Sequence, residues 1–188
     1  MIKNYYFITF YALKLFFLSL AWMNTAYILL GSNEGDRLHH LSGALELIQQ
    51  NNIGVIVKQS AVYVTVAWGY HEQPDFYNQV IYVETSLTPQ QLLIKLLDTE
   101  KELGRIRSGT KWMQRIIDLD ILFYNDEIIQ VEGLLIPHPF IQDRKFVLVP
   151  LCEIAETYIH PLLKKDIRAL CDECADVLEV KKLSILSQ

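Results

Sequence analysis

The apolar pattern of this chain changes character at Met23. Residues 5 to 22, YYFITFYALKLFFLSLAW, are 18 nearly unbroken apolar positions interrupted by Lys14 and preceded by Lys3. That length lies at the lower edge for a membrane span, and a lysine ahead of an apolar run with small residues near Ala21 also has the look of a secretion signal. Met23 followed by NTAYILLGSNEG reads instead as the opening of a folded domain. Residues 1 to 22 are therefore expected to be an extension outside a functional domain of residues 23 to 188, either an upstream start or an anchor.

Beyond Met23 the periods alternate between strand and helix. AYILL is a short apolar strand running into the turn-favouring Gly31, Ser32 and Asn33. Leu38, Leu41, Leu45 and Ile48 step by three and four, which predicts a helix to about Gln50. Residues 53 to 66 are rich in Val and Ile, and FYNQVIYVET at 76 to 85 is a second strand region, the two flanking a loop AWGYHEQPD. TPQQLLIKLLDTEKELG has Thr88 to cap a helix, Pro89 at its first turn, Gln91 to complete a capping box and Gly104 at its end. Residues 116 to 124 return to strand, Asn125 and Asp126 turn into a shorter strand EIIQV, PHPF is irregular, and a further helix is expected near 165 to 178. The order β, α, β, β, α, β with a tail predicts an α+β, ferredoxin-like fold: an antiparallel sheet with helices mainly on one face, plus a C-terminal helical tail.

Composition narrows the partners. With 188 residues, 51% hydrophobic and 21% charged, the chain supports one substantial core. A net charge of −5 supplies no global field for gathering nucleic acid, so none is expected as a partner. Residues 101 to 115 nevertheless hold Lys101, Arg105, Arg107, Lys111 and Arg115 against Glu102, a local +4 that suits a small polyanion such as a nucleotide. Cys152, Cys171 and Cys174 are too few for a disulfide scaffold, and the C-x-x-C they include lies on a helical pattern without a second pair to complete a zinc site. A reducing, cytoplasmic setting follows.

The chemistry gathers in GRIRSGTKWMQRIIDLDILFY, residues 104 to 124. In a strand, Asp118 and Asp120 share a face while Ile117, Leu119, Ile121 and Phe123 take the other, with the aspartate Cα atoms about 6.5 Å apart. Such carboxylates can converge on a pair of divalent ions, with magnesium the fit for hard oxygen ligands and phosphate. Arg105, Arg107 and Arg115 bring planar cations beside them, pointing to catalysis by positioning and electrostatics. Trp112, Trp68, Tyr70 and Phe76, with Asn78 offering paired donor and acceptor, can either pack locally or hold a flat heterocycle. No Walker A motif is present, and the glycines of GSNEGD are weak evidence for a phosphate cradle.

From Met23 to about Ile159 the chain resembles the 6-hydroxymethyl-7,8-dihydropterin pyrophosphokinase family of folate synthesis. The agreement runs in order through GSN, Tyr63-x-Thr65, QPDFYN, ETSLTPQQLL, the segment Glu100 to Arg107, Arg115-x-x-DLDIL, IPHP and Arg144-x-Phe146. The resemblance implies a ferredoxin-like enzyme that moves a pyrophosphoryl group from ATP to the pterin hydroxymethyl group and releases AMP, using two magnesium ions bound with ATP. It implies Asp118 and Asp120 as metal ligands and Arg105 and Arg115 as catalytic arginines. Glu100, Arg107, His138 and Arg144 would bind the nucleotide, and Thr65, Phe76, Asn78, Trp112 and Phe146 the pterin. A monomer is expected, with membrane contact only if residues 1 to 22 are retained.

The chain departs from the family pattern at Met113 and Gln114, where Gly or Ala and then Pro usually precede the arginine; losing that proline frees the backbone before Arg115. Val66 and Trp68 also replace residues common in their loop, and Phe76 stands where tyrosine is common. Two other readings are a non-catalytic ferredoxin-like module binding single-stranded RNA, whose aromatic sheet motif is absent here, and a membrane-tethered regulator relying on residues 1 to 22.

Overall fold

The computed structural model describes residues 23–66, 73–105 and 114–184. In chain order the elements are β1 (Asn24–Ser32), α1 (Arg37–Gln50), β2 (Val55–Gln59), β3 (Tyr63–Thr65), β4 (Phe76–Thr85), α2 (Pro89–Glu102), β5 (Asp118–Tyr124), β6 (Ile129–Val131), β7 (Leu134–Ile136), α3 (Lys145–Ala155), α4 (Ile167–Glu173) and β8 (Val180–Lys182). The antiparallel pairings build one sheet in the order β5-β1-β4-β3-β8, with β2 also paired to β4, and β6 with β7 forms a separate hairpin.

Local chemistry explains the helices on the first face. The Asp36 carboxylate accepts the His39 N–H at 3.1 Å and starts α1, whose Leu41, Ala44 and Ile48 recur on one stripe and are buried. Thr88 and Gln91 form a reciprocal capping box at α2, with Gln91 Oε1 accepting the Thr88 N–H at 2.9 Å. Gly104 ends that helix at φ +94°, a left-handed conformation that side chains disfavour. Ile28, Leu30, Ile81, Leu92 and Leu96 close the core between these helices and the sheet.

The helical tail covers the other face, where Leu29, Val80 and Leu122 meet Val147, Leu148, Leu151 and Ile167. α3 is a helix that sequence periodicity did not pick out, because Pro150 lies inside it. Proline there removes one backbone donor, yet Val147, Leu148 and Leu151 bury enough apolar surface for packing to override propensity. α4 is shorter than the 165 to 178 expected: Cys174 has φ −62° and ψ 121°, which ends the helix and leads to β8, a strand the sequence pattern did not reveal. The three cysteines are free thiols. Among the described residues no helix is long and apolar enough to cross a membrane; residues 1 to 22 lie outside them.

One facing assignment needs correction. Pairing of β1 with β5 shifts register between Tyr27 and Ile28, so Ile28 faces Ile121 while Tyr27 faces Phe123. The extra residue, Leu122, flips the alternation beyond it, and Phe123 packs with Leu122 on the α3 face rather than with Leu119 and Ile121. The bulge comes after the two aspartates and leaves their shared face intact.

The α2 cap gives a direct check on this account. Thr88→Ala leaves an N-terminal donor without its side-chain acceptor and should cost about 1 kcal/mol, or roughly 2 to 4 °C in Tm. A thermal melt indistinguishable from that of the unsubstituted protein would show the capping box to be dispensable.

Candidate active site

Three strands set the site. Gly31 on β1 pairs across to Asn78 on β4 and to Asp118 on β5, so Asn78, Gly31 and Asp118 form one row, with the outer two about 10 Å apart across two strand spacings. The next row on the same face is Val80, Leu29 and Asp120. The aspartates thus stand at the end of the face whose remainder is the apolar seat of α3. Gly31 leaves the space that Asn78 uses: a Cβ there would lie 3.1 Å from Asn78 Oδ1, which would have to shift by a few tenths of an ångström. Asn78 is buried, and its Nδ2 donates to Thr65 Oγ1 at 2.9 Å, which orients the amide.

Cations converge on the ledge from the chain on either side of it. Arg105 pairs with Glu100 at 2.6 Å and also with Asp118, and Arg115 pairs with the other Asp118 oxygen. Glu100 is only 1% exposed, and its Oε1 also accepts the Leu119 N–H at 2.9 Å. The structure therefore places Glu100 behind the ledge, where it fixes Arg105 and β5. Arg144 precedes α3, stacks over the rings of Phe140 at 4.9 Å and Phe146 at 5.7 Å, and feels the charges of Asp118, Asp120 and Arg115. Arg105, Arg115, Arg144, Asp118, Asp120, Glu100 and His138 are thus brought together, with Thr65, Phe76 and Asn78 on adjoining strands. Arg107 and Trp112 lie outside the described residues, as do Trp68, Tyr70 and Met113.

Asn33 is a site residue that sequence reasoning passed over. Fully buried at the end of β1, it accepts the Arg115 N–H through Oδ1 at 2.7 Å, donates its own N–H to Arg115 O at 3.0 Å, and reaches Gln73 Oε1 through Nδ2 at 3.3 Å. The backbone of Arg115 is thereby fixed while its side chain keeps 37% exposure. The available signal was GSN itself, a polar triplet closing an apolar strand.

Electrostatics separate the roles. Burial, with Asp118 and Glu100 close by, pushes Asp120 up to about 7, and Arg115 and Arg105 only partly offset this. Burial, helped by Arg144, pushes His138 down to about 4, so the ring is neutral near pH 7. Its Nδ1 accepts the Phe140 N–H at 3.3 Å, which places the proton on Nε2 and makes that nitrogen a donor. Asp120 and His138 both border a cavity of about 380 Å³ at the edge of β5, walled by Leu93, Ile121, Leu134 and Pro139.

Among the described residues, no three His, Cys, Asp or Glu side chains form a ready metal cage. What the ledge offers is two adjacent carboxylates, one of them resisting ionisation because it is buried beside Asp118 and Glu100. That donor set fits a hard divalent cation completed by water and ligand oxygens, and not a closed structural zinc site.

Comparison with known proteins follows the same lines. A family model described as 7,8-dihydro-6-hydroxymethylpterin-pyrophosphokinase (HPPK) matches residues 27–156. The 2-amino-4-hydroxy-6-hydroxymethyldihydropteridine pyrophosphokinase of Aquifex aeolicus is 44% identical over 146 residues, 78% of this chain and 89% of that protein. The protein of the same name from Bacillus subtilis is 44% identical over 133 residues, 71% of this chain and 79% of its own length. Among solved structures, Plasmodium falciparum HPPK-DHPS wild type with pterin and p-hydroxybenzoate superposes with a TM-score of 0.63 at 20% identity, covering 80% of this chain and 42% of that one. At that identity the likeness speaks for the fold alone.

The raised Asp120 makes a stability test with a defined sign. In metal-free protein its folded pKa of about 7 exceeds the ordinary value near 3.9, so this group's stabilising contribution is complete below about pH 4 and is lost as pH rises through 7. Asp120→Asn removes that loss and should gain about 1 to 2 kcal/mol, roughly 3 to 6 °C in Tm, at pH 8 in EDTA but little at pH 4. Equal shifts at both pH values would contradict the charge argument.

Proposed function

Because the chain belongs to the 7,8-dihydro-6-hydroxymethylpterin-pyrophosphokinase family, we propose that the ledge at the ends of β1, β4 and β5 transfers a pyrophosphoryl group from ATP to the hydroxymethyl group of 6-hydroxymethyl-7,8-dihydropterin. AMP is the second product, and the step belongs to folate biosynthesis. The chain is an ATP-dependent diphosphotransferase. The observation that carries the assignment to this site is the row Asn78, Gly31 and Asp118, with Asp120 beside it and three arginines in reach.

Asp118 and Asp120 would hold magnesium, two ions with ATP, whose charge when bound offsets that of the phosphate oxygens. Arg105, clamped by Glu100 and 12% exposed, is a fixed positive wall. Arg115 is held at its backbone by Asn33 but exposed at its side chain, so its guanidinium can turn from Asp118 to phosphate oxygens as charge passes to the leaving AMP. His138 donates from Nε2, and its low basicity argues against a role as proton acceptor at that nitrogen. The apolar cavity beside Asp120 and His138 suits the purine, with Arg107 and Arg144 assigned to the phosphates.

The pterin belongs on the other side of Gly31. Thr65 and Asn78 form a buried, mutually oriented hydrogen-bonding pair for its polar edge, and Phe76, Trp112 and Phe146 are assigned to the ring faces. With the ring seated there and the nucleotide at β5, the hydroxymethyl oxygen can be aligned on the β-phosphorus, and catalysis comes mainly from holding the two ligands in line. Three free cysteines fit a reducing compartment, and a cytoplasmic monomer completes the proposal.

Incubation with ATP, magnesium and the hydroxymethyl dihydropterin should release AMP; ADP in its place would sink the pyrophosphoryl assignment. Asp118→Ala or Asp120→Ala should lower turnover by about a thousandfold or more while far-UV circular dichroism is retained. Unchanged turnover in either variant would remove that carboxylate from the reaction.

A further inference from the structure

The family match ends at residue 156, yet the chain beyond it returns to the sheet. β8 pairs antiparallel with β3, setting Lys182 opposite Tyr63, Lys181 opposite Val64 and Val180 opposite Thr65. The Leu183 N–H extends the ladder by donating to Val62 O at 2.8 Å. A side-chain clasp from α3 closes over the junction. Glu153 Oε2 accepts the Ala61 N–H at 2.9 Å and the Tyr63 hydroxyl at 3.0 Å, and its Oε1 takes Lys182 Nζ at 2.8 Å. These three donors hold the Glu153 carboxyl below its ordinary range against the opposing effect of burial, while burial and Glu153 push the Tyr63 phenol up to about 12.

We propose that β8 is a positioning strand for the pterin side of the site, acting through β3 on Thr65 and Asn78; this rests on the pyrophosphokinase reading above. β3 is three residues long, and a strand so short is weakly held by one neighbour alone. β8 gives it a second neighbour and meets its outward backbone groups. Thr65 Oγ1, set by that backbone, receives Asn78 Nδ2, and Asn78, only 2% exposed, has little freedom to compensate. The effect is selective because of strand order: β8 and β3 lie at one end of the sheet, and β5, with the metal and phosphate residues, at the other.

The backbone pairing can be removed without touching a buried side chain. Two-residue alternation from the Leu183 to Val62 bond places the next ladder donor at Lys181, which is exposed. Lys181→Pro deletes that donor, Lys181→Ala keeps it, and a chain ending after Leu178 lacks the strand. The pterin KM should rise about three- to tenfold in Lys181→Pro and in the shortened chain, with ATP KM and kcat within about twofold, and Lys181→Ala should match the unsubstituted enzyme. An unchanged pterin KM in the first two would overturn the proposal. So would a joint loss of both KM values, kcat and Tm, which would assign β8 to general stability. AMP release by the unsubstituted enzyme separates the two levels: its absence sinks the pyrophosphokinase reading, whereas its presence with unaltered variants sinks only the role of β8.

Discussion

A carboxylate with 1% of its surface exposed must have its charge met inside the protein, and Glu100 meets its own with Arg105 and the Leu119 N–H. Much of the site geometry follows from this contact. Leu119 is the neighbour of both aspartates, so the bond that pins its N–H also fixes the position along β5 at which Asp118 and Asp120 emerge. Gly104, at φ +94°, turns the chain back so that the Arg105 N–H donates to Glu100 O at 3.0 Å and its guanidinium returns to the carboxylate at the end of the same helix. Helix α2, strand β5 and Arg105, one of the two arginines proposed for catalysis, are thereby tied together by a single buried charge.

The second constraint is the charge count around the ledge. Asp118, Asp120 and Glu100 are set against Arg105, Arg115 and Arg144, yet burial, with Asp118 and Glu100 close by, keeps the Asp120 carboxyl from ionising in its ordinary range. Positive charge is needed next to Asp120, and negative charge is needed by the arginines once a cation takes over Asp118. The proposed metal-bound polyphosphate would answer both demands at once. The different exposure of the two arginines on Asp118, 12% and 37%, makes one a fixed wall and the other the group free to change partner.

How much of this was legible in the sequence depended on the range of the forces involved. The capped helix α2 and the shared face of Asp118 and Asp120 are local consequences of period and capping, and the structure has them as expected. Phe123 was not legible, because a bulge arises from pairing with β1 rather than from β5 itself. α3 hid behind Pro150, whose cost is outweighed only by packing that a sequence window does not contain. Asn33 was missed because its partner is the backbone of a residue 82 positions away. Glu100 stood out through the resemblance, but only the fold reveals that its carboxylate faces inward to Arg105 and Leu119.

The two halves of the site owe their spacing to the sheet itself. On the proposed assignment, phosphate-side residues sit on β5 and pterin-side residues on β4 and β3, with the side-chain-free Gly31 of β1 between them. Each step across hydrogen-bonded strands is about 4.8 Å, a distance set by backbone geometry and hard to alter by side-chain substitution. For a reaction that depends on placing an oxygen in line with a phosphorus, such a ruler is a better reference than loops. It explains why the polar row lies at the sheet's end rather than on its connections, with apolar packing on both faces holding β1 and β4 rigid behind it.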